Sequence, residues 1–294
     1  MRQLDGAVRK EHDRRLATIV RVVEHMKSEL GRPLPLEVLA NLATFSPFYF
    51  HHMFKQATSM PPARFLAALR MAEARRLLLH SSLTVTAISV QVGYSSVGTF
   101  TAQFRRWVSL PPERFRQLAR QLVGVSVAAL LPVISSRALA LGTQPRALMD
   151  LDTVEMPGLL LATVALGNGG RNQWWTAAPR PLPAALPATV PPGEHRARVL
   201  LLRPDRDATA ALVDGVPDSF LTGGTELRLP AETDGDQRVR SSAWRTVTVP
   251  VRPVRATDPP LLSATPLRWL LGLAQAGWRK RAPVVAERRV LRAV

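Results

Sequence analysis

Between Pro35 and Ala43 the apolar residues recur at helical spacing, with Leu36, Leu39, Ala40 and Ala43 on one face. Thr44 to Ser46 then reads as a tight turn. Ser46 followed by Pro47 is an N-cap with a first-turn proline, and the helix it opens is predicted to reach about Thr58, ahead of Pro61 and Pro62. Along that helix Phe50, Met53, Phe54 and Ala57 fall at i, i+3, i+4 and i+7 and should pack inward. Phe48, His51, His52 and Lys55 share the opposite, outward face. A third helix, Pro62 to Leu79, is expected to bury Phe65, Leu66, Leu69, Ala72 and Leu79.

The pattern then returns. At a constant offset of 50, Ser46, Phe50, Phe54, Ser59, Pro61, Pro62, Arg64 and Phe65 match Ser96, Phe100, Phe104, Ser109, Pro111, Pro112, Arg114 and Phe115, and Lys55 matches Arg105 in charge. The second copy predicts a helix over Thr84 to Tyr94 ending at Gly93, a cap at Ser95 or Ser96, and a helix to about Val108 with Gly98, Thr101, Ala102 and Arg105 outward. Two helices joined by a 3–4-residue turn form the helix-turn-helix that enters a DNA major groove. The 18 residues from Pro62 to Leu79 span about 27 Å as helix. Such a rod can set two recognition helices in grooves about 34 Å apart.

Charge supports a polyanionic partner. The chain of 294 residues carries 39 Lys+Arg against 22 Asp+Glu. Residues 1–125 hold 18 basic and 8 acidic residues and are the more densely basic part. Only four of the basic residues are lysines, and strong arginine usage can reflect codon bias, so the local concentration counts for more than the total. With no cysteine, disulfides, thiolate zinc sites and cysteine nucleophiles are excluded. The charged start lacks the apolar stretch of a secretory signal. The apolar run Leu122 to Ile134 is too short to cross a bilayer and contains Pro132, so a buried or interdomain segment is expected. His51 and His52, about 100° apart on a helix, are poorly placed to chelate one metal. Glu73, Arg75 and Arg76 are expected on a solvated face, and no metal or cofactor is expected anywhere.

Beyond Pro157 the apolar runs shorten and prolines gather. Gly158 to Leu166, Arg196 to Leu202 and Trp244 to Val251 read as strands, with turn signals at 167–170, Pro192-Gly193, Gly223-Gly224 and Asp234-Gly235. Ala208 to Val216 and Pro266 to Gln275 are candidate short helices. Trp174 and Trp175, with Trp244, are candidates for an apolar pocket, although such aromatic pairs more often serve as core. A basic tail closes the sequence. No G-x-S-x-G, phosphate loop or metal-ligand spacing is present, so this half is expected to be non-catalytic.

Gln91 to Arg106, reading Gln-Val-Gly-Tyr-Ser-Ser-x-x-x-Phe-x-x-x-Phe-Arg-Arg, and Pro-Pro-x-x-Phe-Arg at Pro111 to Arg116 resemble the AraC/XylS family of bacterial transcription regulators. The resemblance covers about Leu16 to Gln121. It implies a seven-helix domain with two helix-turn-helix units in adjacent major grooves, and places base reading on Phe48, His51 and His52 and on Val97, Gly98, Thr101 and Ala102. Lys55, Ser95, Ser96, Arg105 and Arg106 complete the expected DNA contacts. The family commonly has glycine where Ser59 and Ser109 stand, so serine must cap differently or accept strain. The segment Arg252 to Leu262 resembles C-terminal portions of some AraC-type regulators, and the order of domains departs from the family's more common one.

The expected fold is therefore α+β and multidomain: an all-α DNA-binding domain at 1–121, a connector at 122–156, a small, sandwich-like β-rich accessory domain at 157–266 and a helical, basic tail at 267–294. The expected function is sequence-specific regulation of transcription from the cytoplasm, associated with the nucleoid. Double-stranded DNA is the expected partner, RNA polymerase a candidate one, and any small-molecule effector is unidentified. The alternatives are a ligand-responsive regulator sensing through its C-terminal half, and a non-specific DNA-associated or membrane-surface protein.

Overall fold

The computed structural model describes residues 2–138, 147–152, 156–166, 173–230, 246–261, 266–268 and 272. Seven helices fill the first part: α1 (Arg2–Ser28), α2 (Leu36–Leu42), α3 (Pro47–Thr58), α4 (Pro62–His80), α5 (Val85–Gln91), α6 (Val97–Val108) and α7 (Pro112–Arg120). The repeated phenylalanines explain why both halves fold alike. Phe50, Phe54 and Phe65 form a ladder with ring centroids 5.5 and 5.4 Å apart, and Phe100, Phe104 and Phe115 form its copy at 5.7 and 5.7 Å. All six rings are buried. Ile19, Val22, Val23 and Met26 of α1 close the first core against α2, α3 and α4.

The long helix α4 is buried around most of its circumference rather than along one stripe, because it serves both cores. Met71, Ala74, Leu77 and Leu78 are buried besides Phe65, Leu66, Leu69 and Leu79, and Ala72 is half-buried. Arg75 is buried too, which corrects its expected place on a solvated face. Only Arg76 is exposed there, paired with half-buried Glu73 at 2.7 Å. The helical unit comprises Met1–Gln121 together with Val213–Gly215 and Arg255–Ala264.

The second compact unit comprises Leu122–Leu212, Val216–Val254 and Thr265–Val294. Its strands are β1 (Ala147–Leu151), β2 (Gly158–Leu166), β3 (Gln173–Arg180), β4 (Ala184–Leu186), β5 (Gly193–Leu202), β6 (Phe220–Leu229), β7 (Thr246–Val249) and β8 (Val251–Pro253). They form a three-stranded sheet, β4-β1-β7, and a five-stranded sheet, β3-β2-β5-β6-β8. Met149, Leu186 and Val249 from the first and Leu160, Ala162, Val199, Leu201 and Leu227 from the second share one core, as two sheets facing each other require. The outer face of the larger sheet is half covered by α8 (Val127–Ala138), which packs on β2 and β3 and buries Val127, Leu130 and Ile134. This is why β2 reads as a continuous apolar run: Leu159 and Leu161 face one way, Leu160 and Ala162 the other, and all four are buried.

Three expectations change here. The stretch 122–156, read as connector, carries α8 and β1, and β1 pairs in parallel with β7 almost a hundred residues later. Gly223 and Gly224 do not turn but lie inside β6. A Cβ on Gly223 would collide with the Pro250 carbonyl, so glycine is there for close approach of the backbone. Trp174 and Trp175 cannot line one pocket, because adjacent strand residues face opposite ways: Trp174 packs on the shared core, Trp175 on the outer face. Ala208 to Val216 contains one π-helical turn, Ala210–Asp214. Trp244, the turn signals at 167–170 and Asp234-Gly235, most of Pro266 to Gln275 and the basic tail lie outside the described residues.

Candidate nucleic-acid interface

Each recognition-type helix begins with a serine cap. Ser46 Oγ accepts from the Tyr49 amide and Ser96 Oγ from the Thr99 amide, both at 3.4 Å. The turns before them differ by one residue. Thr44 N bonds Asn41 O and Phe45 N bonds Ala40 O, and the same pair of bonds recurs as Gly93 N to Val90 O and Tyr94 N to Ser89 O. The offset is thus 49 in the first helices and turns and 50 beyond, so Ser95 is an inserted residue in the second turn.

The outward face of α3 is as the spacing predicts. Phe48 is 77% exposed, His52 and Lys55 are exposed and His51 is half-buried. Phe48 and His52 rings pack edge to face at 4.6 Å, and His51 meets His52 at 5.6 Å. The three rings form one aromatic platform with Lys55 beyond it. On α6, Ser95, Ser96, Val97, Gly98, Ala102, Arg105 and Arg106 are exposed and Thr101 is half-buried. This face is small and smooth near its N-terminus and cationic near its C-terminus. The structure therefore places all twelve expected contact residues on two outward faces, one per repeat, without touching one another across repeats among the described ring and charge contacts.

Four arginines outside the expected set of DNA contacts organise the framework behind those faces. Arg70 of α4 donates from Nε to Leu30 O at 3.0 Å and from Nη2 to Arg32 O at 2.8 Å, and its guanidinium lies 5.9 Å over the Tyr94 ring. It thereby pins the loop after α1 to the turn before α6. Burial lowers its pKa and raises that of Tyr94, with each group's effect on the other opposing the shift. Gly93, at φ +84°, sits in this junction: a Cβ would lie 2.5 Å from Leu30 O and 2.8 Å from Arg70 Nη2. Arg64 of α4 stacks 5.3 Å over Trp107 of α6, and Arg116 of α7 donates to Leu83 O at 2.6 Å. Arg75 donates to Val213 O at 2.7 Å and to Leu261 O, 5.9 Å over the Phe115 ring. Burial brings its pKa down to about 10, with Asp214 opposing, so it remains a cation at neutral pH. Asp214 also meets His80 Nε2 at 2.8 Å. The one clue to Arg75 in the sequence was its place at helical spacing between Met71 and Leu78.

Serine accepts the strained caps. Ser59 and Ser109 end α3 and α6 in the left-handed region, at φ +59° and +66°, and Thr44 takes φ +59° in the first turn. Among the described residues no group of three His, Cys, Asp or Glu is placed to hold a metal, and no helix is long and apolar enough to cross a membrane.

Comparison with known proteins bears on the same segment. A helix-turn-helix domain family matches residues 39–118. An uncharacterized HTH-type transcriptional regulator, YobQ of Bacillus subtilis, is 30% identical over 94 residues, 32% of this chain and 39% of that protein. The HTH-type transcriptional activator RhaS of an Enterobacter species is 32% identical over 101 residues, 34% of this chain and 36% of that protein. The chain thus spans little more than a third of these curated relatives. Among solved structures, the DNA-binding domain of the global transcriptional factor AdpA, in complex with a target DNA, is 27% identical, with a TM-score of 0.34 covering 35% of this chain and 93% of that one. Residues 39–118 are a helix-turn-helix domain of the AraC/XylS type, carried in this chain together with an accessory β-rich unit.

Proposed function

We propose that the chain is a sequence-specific DNA-binding transcriptional regulator that sets α3 and α6 in successive major grooves of one duplex. The observation that carries this is the recurrence, at the same four positions, of an outward face on each capped helix, backed by duplicated aromatic cores. Phe48, His51 and His52 read bases in this proposal, and Lys55, Arg105, Arg106 and the Ser95–Ser96 helix start hold phosphates. Val97, Gly98, Thr101 and Ala102 offer only methyl surface and one hydroxyl. Residues 1–121 form the reading domain, 122–266 the accessory part and 267–294 a tail. A cytoplasmic, nucleoid-associated location and contact with RNA polymerase belong to this reading.

The test is fluorescence anisotropy on the full chain with duplexes selected from a randomised pool. The full chain is needed because Arg75 takes its acceptors from Val213 and Leu261. Affinity should fall linearly on a log–log plot against salt, by roughly 0.9 for each phosphate neutralised. Salt-independent binding, or selection yielding no consensus, overturns the proposal. A membrane-surface role predicts co-flotation with anionic vesicles instead. The second reading, that the accessory unit senses a small molecule, is favoured by unpaired donors on its larger sheet.

A further inference from the structure

We propose that α6 recognises thymine through its C5-methyl group, which Val97 and Ala102 contact while Gly98 leaves room for it. This rests on the DNA-binding reading and concerns what the second helix recognises. Val97, Gly98, Thr101, Ala102 and Arg105 recur at spacings of three and four and form one face of α6, exposed except for half-buried Thr101. Up to Arg105 that face carries one hydroxyl and no other hydrogen-bonding side chain. Fifty residues earlier, Phe48, His51 and His52 stand where Gly98, Thr101 and Ala102 stand here. α6 therefore presents a hydrogen, a small hydroxyl-bearing side chain and a methyl where α3 presents three rings. A duplex can come closer to the backbone of α6 by the depth of a ring.

Gly98 is the second observation. Its backbone is not in the left-handed region, and a Cβ there would meet only Ser96 Oγ at 3.5 Å, an ordinary contact. At Gly93, by contrast, a Cβ would lie 2.5 Å from Leu30 O. Neither conformation nor packing within the chain calls for glycine at 98, although a helix favours alanine. The missing side chain leaves a gap open to the outside, bordered by Val97 and by Thr101 and Ala102 at i+3 and i+4. Among the base edges displayed in the major groove, the thymine C5-methyl is the apolar feature. Valine and alanine carry no donor or acceptor, so that methyl is what they can distinguish by contact. The gap over Gly98 receives it, and exposed Arg105 and Arg106, further along the helix, hold the phosphates that set its depth.

Operators selected from a randomised pool with the full chain provide the test, read by fluorescence anisotropy. Deoxyuridine replaces thymidine position by position, which removes the methyl and keeps every hydrogen-bonding group. In the half-site against α6, affinity should fall about fourfold for each methyl that the helix buries. Gly98→Ala puts a protein methyl where the base methyl is to sit. It should leave Tm unchanged or raise it, weaken binding to the thymine operator, and at one position make deoxyuridine bind as well as thymine or better. That position identifies the base facing α6. Three results overturn the inference while specific binding survives: deoxyuridine tolerated without loss at every position, a Gly98→Ala protein that keeps the parent's preference for thymine throughout, or a lowered Tm, which would show that the chain itself requires the glycine. Selection that yields no consensus overturns the DNA-binding reading, and this inference with it.

Discussion

Arg70→Ala should loosen the junction between the two helix-turn-helix units without emptying either core. The side chain is half-buried and donates to two carbonyls, Leu30 O at 3.0 Å and Arg32 O at 2.8 Å. Hydrogen bonds from a charged donor contribute about 1.5–3 kcal/mol each, and solvent at the half-exposed site reduces that, so roughly 2 kcal/mol is expected for the pair. Arg70→Lys should recover less than half, since an ammonium cannot fork to two acceptors in one plane. Urea unfolding of the full chain, followed by helical circular dichroism, reads the loss. The same junction governs function in the proposed reading. One base pair added between half-sites turns the second by roughly 34–36°, so a rigid protein discriminates spacing sharply. The parent should bind its selected operator much better than versions lengthened or shortened by one base pair, and Arg70→Ala should flatten that preference while binding the best spacing more weakly. Gly93→Ala strikes the same contact, by a Cβ 2.5 Å from Leu30 O and by its φ of +84°. The double variant should lose less than the two single losses added, because removing the Arg70 guanidinium clears two of the three atoms that the new methyl meets. An Arg70→Ala protein within about 0.5 kcal/mol of the parent in stability, with its spacing preference intact, would refute the clamp.

Two further outcomes are expected. Changing His51 or His52 to Ala should lower affinity for the selected site by roughly 10-fold or more and matter less on random DNA, whereas Arg105→Ala or Arg106→Ala should weaken all sequences alike and flatten the salt slope; competition binding separates the two, and equal information in both selected half-sites would contradict it. Ser59→Gly, Ser109→Gly and Thr44→Gly should each raise stability by about 1 kcal/mol, because a left-handed backbone strains any residue with a Cβ; thermal melting checks this, and a lowered Tm would show that Thr58, whose hydroxyl bonds Phe54 O and Met60 O at 2.8 Å, does not hold the first cap unaided.

The helical repeat was legible because its cause is local. Phe50, Phe54 and Phe65 make their contacts within sixteen residues, and the same spacing in Phe100, Phe104 and Phe115 produces the same ladder. Caps at Ser46 and Ser96 follow from the residue type and its neighbours alone. What stayed hidden depends on distant partners. Arg75 is tolerable inside a core only because carbonyls 138 and 186 residues away receive it, and nothing near Arg75 announces them. β1 is five residues long and gains its place from parallel pairing with β7. Gly223-Gly224 has the composition of a turn, and only the nearness of Pro250 shows that the glycines serve a strand.

The same division separates the outward faces of the helices from the outer face of the larger sheet. The outward faces of α3 and α6 are set by helical periodicity, so exposure of Phe48, His52, Lys55 and Arg105 could be read from spacing. The row of Trp175, Thr163 and Arg198 is set by register across three strands, and strand register is not written in any one of them. Composition drew attention to Trp174 and Trp175 as a pair, yet alternation along β3 sends one ring to the core and the other to the outer face. The indole N–H of Trp175 on the outer face is shielded and without a hydrogen-bond partner, a feature that only the cross-strand register brings to view.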